Sequence, residues 1–281
     1  MATIKNPITI VQGGGSLDNY GTIKYLDAND VEQTLTLATE DDYLELTLGV
    51  WQISNFTINN VSVDKSKITG VTIGDGVQYI PDNFCYNCTN LTSATIPSSV
   101  HYIGSFVFYS CKIATASFSF DNVISIGESF MQGNNTFNSP LALPKVIDIS
   151  TNFLRGCSAF NSSLTINDGC EHIGLNFLRQ CSAFAQSLSV PSGLYMLSSG
   201  IFNPNRYFMY ECNNFVGPLV CNCPATSLPS SGFDSEMLAT TSNTSVMYTT
   251  GVTLTGPYAS DWKTALPDRT SSPYRKLIVG S

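Results

Sequence analysis

Apolar residues recur through the middle of the chain at intervals of four and then three. Ile73, Val77 and Ile80 form one set, Ile96, Val100 and Ile103 the next. The same interval returns as Ile166, Cys170, Ile173 and as Val190, Leu194, Leu197. Two sets between them are one residue shorter at the front: Phe120, Val123, Ile126 and Leu143, Val146, Ile149. Eight residues past the last member of successive sets stand Cys88, Cys111, Cys157 and Cys181, with Asn134 replacing the cysteine in the third copy. The interval is 23 residues from Cys88 to Cys111, 46 for the two copies to Cys157, and 24 to Cys181. Four positions before this column lie Phe84, Val107, Phe130, Phe153 and Phe177, and a longer spacing through Asn203-Pro204-Asn205-Arg206 leads to Phe208 and Cys212.

A unit of about 23 residues cannot enclose its own apolar face, so successive copies must stack. Equivalent positions then lie one strand spacing apart, in internal columns of Ile/Val, Phe and Cys. Phe84, Phe130, Phe153, Phe177 and Phe208, with Cys88, Cys111, Cys157, Cys181 and Cys212, are the expected structural ladder. Burial of each large apolar side chain contributes roughly 1.5 to 3 kcal/mol as an upper estimate, so the array needs neither metal nor disulfide.

The flanks differ. In residues 1–66, Tyr20–Leu26, Gln33–Leu37 and Tyr43–Leu48 alternate as half-exposed strands, with Asp27-Ala28-Asn29-Asp30 as a turn. They predict a small β module that either caps the array or docks onto a larger assembly, with Gly13-Gly14-Gly15 as a flexible joint. The array proper is assigned to 67–223. Residues 224–281 are expected to hold a repeat remnant and a cap, with Pro257 opening a short helix to Leu266. The fold class expected is mostly β: a solenoid with a small N-terminal β module and a C-terminal cap.

Charged residues make up 12% of the chain and the net charge is −8, which argues against nucleic acid or anionic lipid as a partner. The N-terminus lacks a basic start followed by an apolar stretch, and no apolar run reaches 18 residues, so a soluble cytosolic product without membrane insertion is expected. Nine cysteines in such a product stay reduced and pack.

No catalytic constellation emerges. His101 and His172 are the only histidines and lie three repeats apart. Glu40, Asp41 and Asp42 read as solvated neighbours on a polar loop. Cys85-x-x-Cys88 and Cys221-x-Cys223 lack the four suitably spaced ligands of a zinc site, and both members of the first pair fit packing columns. No enzyme activity, cofactor or metal is expected.

The segment Ser93-Ala94-Thr95-Ile96-Pro97-Ser98-Ser99-Val100-His101-Tyr102-Ile103-Gly104, followed by Phe108-Tyr109-Ser110-Cys111, resembles the BspA-type leucine-rich repeat. The likeness covers rather more than half the chain and departs from the pattern at residues 113–144 and after Cys212. The resemblance implies a leucine-rich-repeat solenoid and a role in binding, since members serve as adhesins, surface proteins and phage virion components. Without a leader, the expectation is a bacteriophage virion protein of tail, baseplate or fibre, multi-copy or homo-oligomeric. Residues 1–66 would contact other virion proteins, and the solenoid a host surface protein or glycan. A cellular interaction or adhesion protein and a capsid-attached head fibre or decoration protein are the alternatives.

In each copy two residues sit between the second and third apolar positions: Gln78-Tyr79, His101-Tyr102, Ile124-Ser125, Ile147-Asp148, Glu171-His172 and Tyr195-Met196. Stacking places them in one outer stripe. Tyr79, His101, Tyr102, Glu171, His172 and Tyr195 are therefore the candidate binding residues, because aromatic side chains with polar tips suit recognition of sugars and proteins. The same row could instead cross-pair along the sheet and stabilise it.

Overall fold

The computed structural model describes residues 19–47, 55–194, 196–197, 208–224, 251–265 and 277–280. The chain enters through an antiparallel hairpin, β1 (Gly21–Leu26) and β2 (Glu32–Thr36). Its turn is held by Asp27, whose Oδ1 accepts from the backbone N–H of Asn29 and Val31 at 2.8 and 3.0 Å. Helix α1 (Glu40–Glu45) follows, then a second hairpin of β3 (Asn55–Ile58) and β4 (Val61–Asp64).

Helix α1 corrects two expectations. Tyr43–Leu48 reads as an alternating strand, and Glu40, Asp41 and Asp42 read as a polar loop, yet residues 40–45 are helical. Thr39 caps this helix: its Oγ1 accepts from the Asp42 N–H at 3.1 Å, while the Asp42 carboxylate accepts from the Thr39 N–H at 3.0 Å. The three acidic residues occupy the first turn, where the exposed N–H groups favour negative charge. The buried apolar contacts are Tyr43 and Leu46, three apart, which is the helical spacing.

From here each coil adds one longer strand and one two-residue strand. β5 (Ile68–Ile73) receives β1 on one side, antiparallel, and β7 (Ser93–Ile96) on the other, parallel, and β9 (Thr115–Phe118) follows. The N-terminal hairpin is thus part of the solenoid's own sheet, ordered β2-β1-β5-β7-β9. The opposite wall stacks six short strands in parallel: β6 (Tyr79–Ile80), β8 (Tyr102–Ile103), β10 (Ser125–Ile126), β12 (Asp148–Ile149), β14 (His172–Ile173) and β16 (Met196–Leu197). Farther along the longer-strand wall come β11 (Leu141–Leu143) with β13 (Leu164–Ile166). β15 (Leu188–Val190) then pairs in parallel with β17 (Leu219–Cys221), and β17 with β18 (Val252–Thr255). The Pro257 segment forms helix α2 (Ala259–Ala265), starting two residues later than expected, before β19 (Leu277–Val279). Trp262 on α2 is fully buried, and its Nε1–H donates to the Cys223 carbonyl at 2.8 Å, closing this end over the core.

Backbone approaches between coils are close. A Cβ on Gly127 would lie 2.5 Å from the Gly104 carbonyl carbon of the preceding coil, so this position admits only hydrogen.

Between the walls the expected ladder forms. Phe130, Phe153, Phe177 and Phe208 are buried and stacked at centroid distances of 5.7, 5.4 and 5.2 Å. At the second rung, where Val107 stands, Phe108 fills the gap, 6.0 Å from Phe84 and 6.4 Å from Phe130. A second ladder that the sequence pattern did not single out runs Phe137, Phe160, Phe184, Phe215 at 5.7, 5.6 and 5.8 Å. Each member lies three residues past the Cys/Asn column, and that constant offset is the signal that would have revealed it.

All nine cysteines are free thiols and buried. Four thiols of the column donate to a carbonyl of the preceding coil: Cys111 to Cys85, Cys157 to Met131, Cys181 to Leu154 and Cys212 to Leu178, at 2.9 to 3.2 Å. Burial pushes the thiols of Cys157, Cys170 and Cys221 from the ordinary 9.0 up to about 12, and that of Cys223 to about 11. Cys85, Cys111 and Cys181 are likewise pushed well up. Native thiolate is therefore scarce, and a disulfide reagent at pH 8 should label the folded protein far more slowly than the protein in guanidinium, where all nine titrate. The linkage has a sign. Unfolded thiols ionise near 9, whereas those of Cys157, Cys170 and Cys221 do so at about 12 and that of Cys223 at about 11, so above pH 9 the unfolded state binds fewer protons and stability falls as pH rises through that window. Rapid native labelling, or denaturation midpoints that do not fall between pH 8.5 and 10.5, would contradict this.

Candidate recognition face

The short-strand wall turns one isoleucine per coil inward, Ile80, Ile103, Ile126, Ile149 and Ile173, all buried. The residue before each points outward, and the parallel register sets Tyr79 beside Tyr102, then Ser125, Asp148, His172 and Met196. One position earlier a second row runs Gln78, His101, Ile124, Ile147, Glu171. It is tied by backbone bonds from each N–H to the previous row member's carbonyl at 2.8 to 2.9 Å. Both residues of each pair face out because the backbone between the buried Val77 and Ile80, and between their equivalents, departs from simple alternation.

Tyr79, His101 and Tyr102 share the first two rungs. Glu171 and His172 lie three rungs beyond His101 and Tyr102, about 14 Å at the usual strand spacing. The candidates form a stripe rather than a pocket. Tyr195 falls outside the described residues. The His101 ring is fixed by a 2.8 Å contact between Nδ1 and the Ser99 carbonyl, and the Tyr79 carbonyl accepts from the Tyr43 hydroxyl at 3.5 Å. Burial raises the Asp148 carboxyl above its ordinary value, and neighbouring His172 acts in the opposite direction.

Midway along the stripe stands a residue that was placed outward but not chosen as a binding candidate. Ile147 is 43% exposed, with half-buried Ile124 on the next rung, Asp148 beside it and Glu171 on the other side. The repeat spacing already set Ile147 in the outer stripe, and its exposure agrees with that placement.

An open groove of about 630 Å³ lies across the outer face of the longer-strand wall. Thr72, Asp75, Thr95, Ser98, Ser117 and Asp121 line it among others, and its lining holds no histidine or thiol. It offers hydroxyls and carboxylates, among them the Ser119 hydroxyl, which donates to the Asp121 carboxylate at 2.8 Å. Among the described residues, no group of three or more His, Cys, Asp or Glu side chains is placed to hold a metal ion, and no helix is long and apolar enough to cross a membrane.

A family model described as BspA type Leucine rich repeat region matches in six copies, over residues 56–185 and 120–206. No curated protein matches the chain. One solved structure that resembles it is a leucine rich cell surface protein from Faecalibacterium prausnitzii A2-165. The identity is 16% and the TM-score 0.37, covering 82% of this chain and 59% of that one. The chain thus spans about three-fifths of that protein's length.

Proposed function

Since the chain belongs to the BspA-type leucine rich repeat family, we propose that it is a non-enzymatic recognition protein whose short-strand stripe binds a protein partner. The observation that carries this reading is the exposed Ile147 beside Ile124, flanked by His101 and Tyr102 on one side and by Glu171 and His172 on the other. Interface hot spots have that anatomy: an apolar centre, aromatic anchors and a polar rim on a rigid support. Exposed aliphatic groups favour a protein ligand over a sugar.

The test is a triple substitution, Tyr79→Ser, Tyr102→Ser and Ile147→Asp. Loss of two or more hot-spot contacts weakens adherence of the purified protein to bacterial cells, read by flow cytometry, by at least about tenfold. The melting temperature should move by no more than a few degrees, because outward substitutions cost little. Unchanged adherence, or a fall that merely tracks loss of folded protein, would return the stripe to a role in sheet cross-pairing.

The hairpin of β1 and β2 then acts chiefly as the first rung, a reading supported by the hydrogen bonding of β1 to β5. The same stripe would serve a chain carried on a phage particle or one displayed on a cell. Recovery of the protein from purified particles, or from the cell envelope alone, separates those placements.

A further inference from the structure

The outward pairs of the short-strand wall form a sequence that is complementary to its own reverse. In the coils of β8, β10, β12 and β14 one row carries His101, Ile124, Ile147 and Glu171, and the row beside it Tyr102, Ser125, Asp148 and His172. The two isoleucines are central, Ile124 half-buried and Ile147 43% exposed. Both carboxylates, Asp148 and Glu171, belong to the last two of these coils. In the first two the rows hold only neutral or basic side chains.

A twofold axis lying parallel to the short strands, midway between β10 and β12, lays this stripe against a second copy of itself with the strands of the two walls aligned. The operation reverses the order of the coils and keeps each row opposite its own counterpart. Ile124 then meets the partner's Ile147, and Ile147 the partner's Ile124. His101 meets Glu171, Ser125 meets Asp148 and Tyr102 meets His172, each contact made twice. The His101 Nδ1 is engaged by the Ser99 carbonyl at 2.8 Å, so the protonated ring has Nε2–H to give to a facing carboxylate. The Ser125 hydroxyl donates to the Asp148 carboxylate in the same way. At the edge of the stripe Glu128, two past Ile126, faces Thr151, two past Ile149, and not a like charge.

Other alignments lose this match. An axis along the stack would set one row against the other, Ile147 against Asp148 and Ile124 against Ser125, which takes a carboxylate out of water against an aliphatic group. Sliding the copies by one rung gives up both Ile124–Ile147 contacts, and in one direction it sets Asp148 against Asp148.

We propose that the short-strand stripe pairs with itself, joining two copies of the chain in an isologous dimer centred between Ile124 and Ile147. The inference rests on the reading of this stripe as a protein-binding face and names the partner. Six rungs span about 24 Å at the usual strand spacing, and a stripe two residues wide over that length is smaller than the roughly 800 Å² per partner of stable complexes. The dimer is therefore reversible, with a Kd on the order of tens of micromolar.

Sedimentation velocity of the full chain at about pH 6, where most imidazole is protonated, over concentrations spanning that Kd, provides the test. The parent should pass from monomer to dimer. Ile147→Asp and Ile124→Lys should each weaken self-association at least tenfold. An equimolar mixture of the two should associate within about threefold of the parent, because the mixed pair has one Ile–Ile contact and one Asp–Lys contact. His101→Glu and Glu171→Lys repeat the logic at the rim, each weak alone and restored on mixing, and serve if melting curves show that a central variant does not fold. A parent that stays monomeric, or mixtures no stronger than the single variants, would overturn the dimer. Should the parent stay monomeric while the triple variant still loses adherence to cells, the stripe binds another protein and only the dimer falls. Mixtures that restore association beside unchanged adherence of the triple variant support the dimer and remove the cell-directed reading.

Discussion

Phe153→Ala is expected to destabilise the protein by about 3 to 5 kcal/mol, the range for removing a fully buried phenyl ring from a close-packed core. The ring has no solvent exposure and is sandwiched between Phe130 at 5.7 Å and Phe177 at 5.4 Å, nearly parallel to both. Its loss therefore opens a cavity between two coils rather than beside one. A stacked array is held by nearest-neighbour contacts, so a gap in the middle weakens the coupling of the two halves as well as their total stability. Guanidinium unfolding should show an earlier midpoint together with a shallower or split transition, since cooperativity is what the central interface provides. A loss below about 1 kcal/mol with an unchanged slope would mean that the ladder is not the core it is described as here.

That ladder was legible because it obeys one arithmetic. The Phe and Cys positions keep a fixed offset from the Ile/Val sets as far as Cys181, and the spacing of four between Phe and Cys survives the longer connection before Phe208, so the stacking of coils turns a period in sequence into a column in space. Where the offset slips, legibility fails. The second phenylalanine ladder begins with Leu91 and with Ile113, which stands only two residues past Cys111 instead of three, so its first rungs conceal the period that Phe137, Phe160, Phe184 and Phe215 then keep. Residues 43–48 were misleading for a local reason. Leu44, Leu46 and Leu48 satisfy strand alternation, while the decisive signal, the reciprocal Thr39–Asp42 cap, lies just upstream in what reads as a polar loop.

The outer stripe was legible in position and only partly in content. Sequence spacing places Tyr79, His101, Tyr102, Glu171 and His172 on one face, and the register confirms that placement without testing what they bind. The same spacing placed Ile124 and Ile147 outward, but the choice of aromatic residues with polar tips passed over them as binding residues.

Asn134 supplies the sharpest test of reading the repeat by its consensus. Cysteine holds this column at Cys88, Cys111, Cys157 and Cys181, so Asn134→Cys looks like a repair. In part it is, because the Asn134 Nδ2 donates to the Phe108 carbonyl at 2.6 Å just as the column thiols donate to the coil before them. Asn134 also does something a thiol cannot. In the other coils the residue three past the column donates its N–H to the column residue's own carbonyl, as Leu91 does to Cys88, Phe160 to Cys157 and Phe184 to Cys181. The coil of Cys111 is one residue short, Ile113 cannot make that bond, and its N–H goes instead to the Asn134 Oδ1 at 3.1 Å. The amide thus compensates for a deletion in the preceding coil. Asn134→Cys should cost about 1 to 3 kcal/mol by leaving the Ile113 N–H buried and unbonded. Asn134→Ala should cost about 2 to 6 kcal/mol, because the Phe108 carbonyl is stranded as well. Inserting one residue between Lys112 and Ile113 should recover much of the loss in the Asn134→Cys background, and denaturant melts of the two single variants and the combined one measure the coupling. A consensus cysteine that leaves stability unchanged or raises it would show that the Ile113 N–H finds another acceptor and that the compensation does not exist.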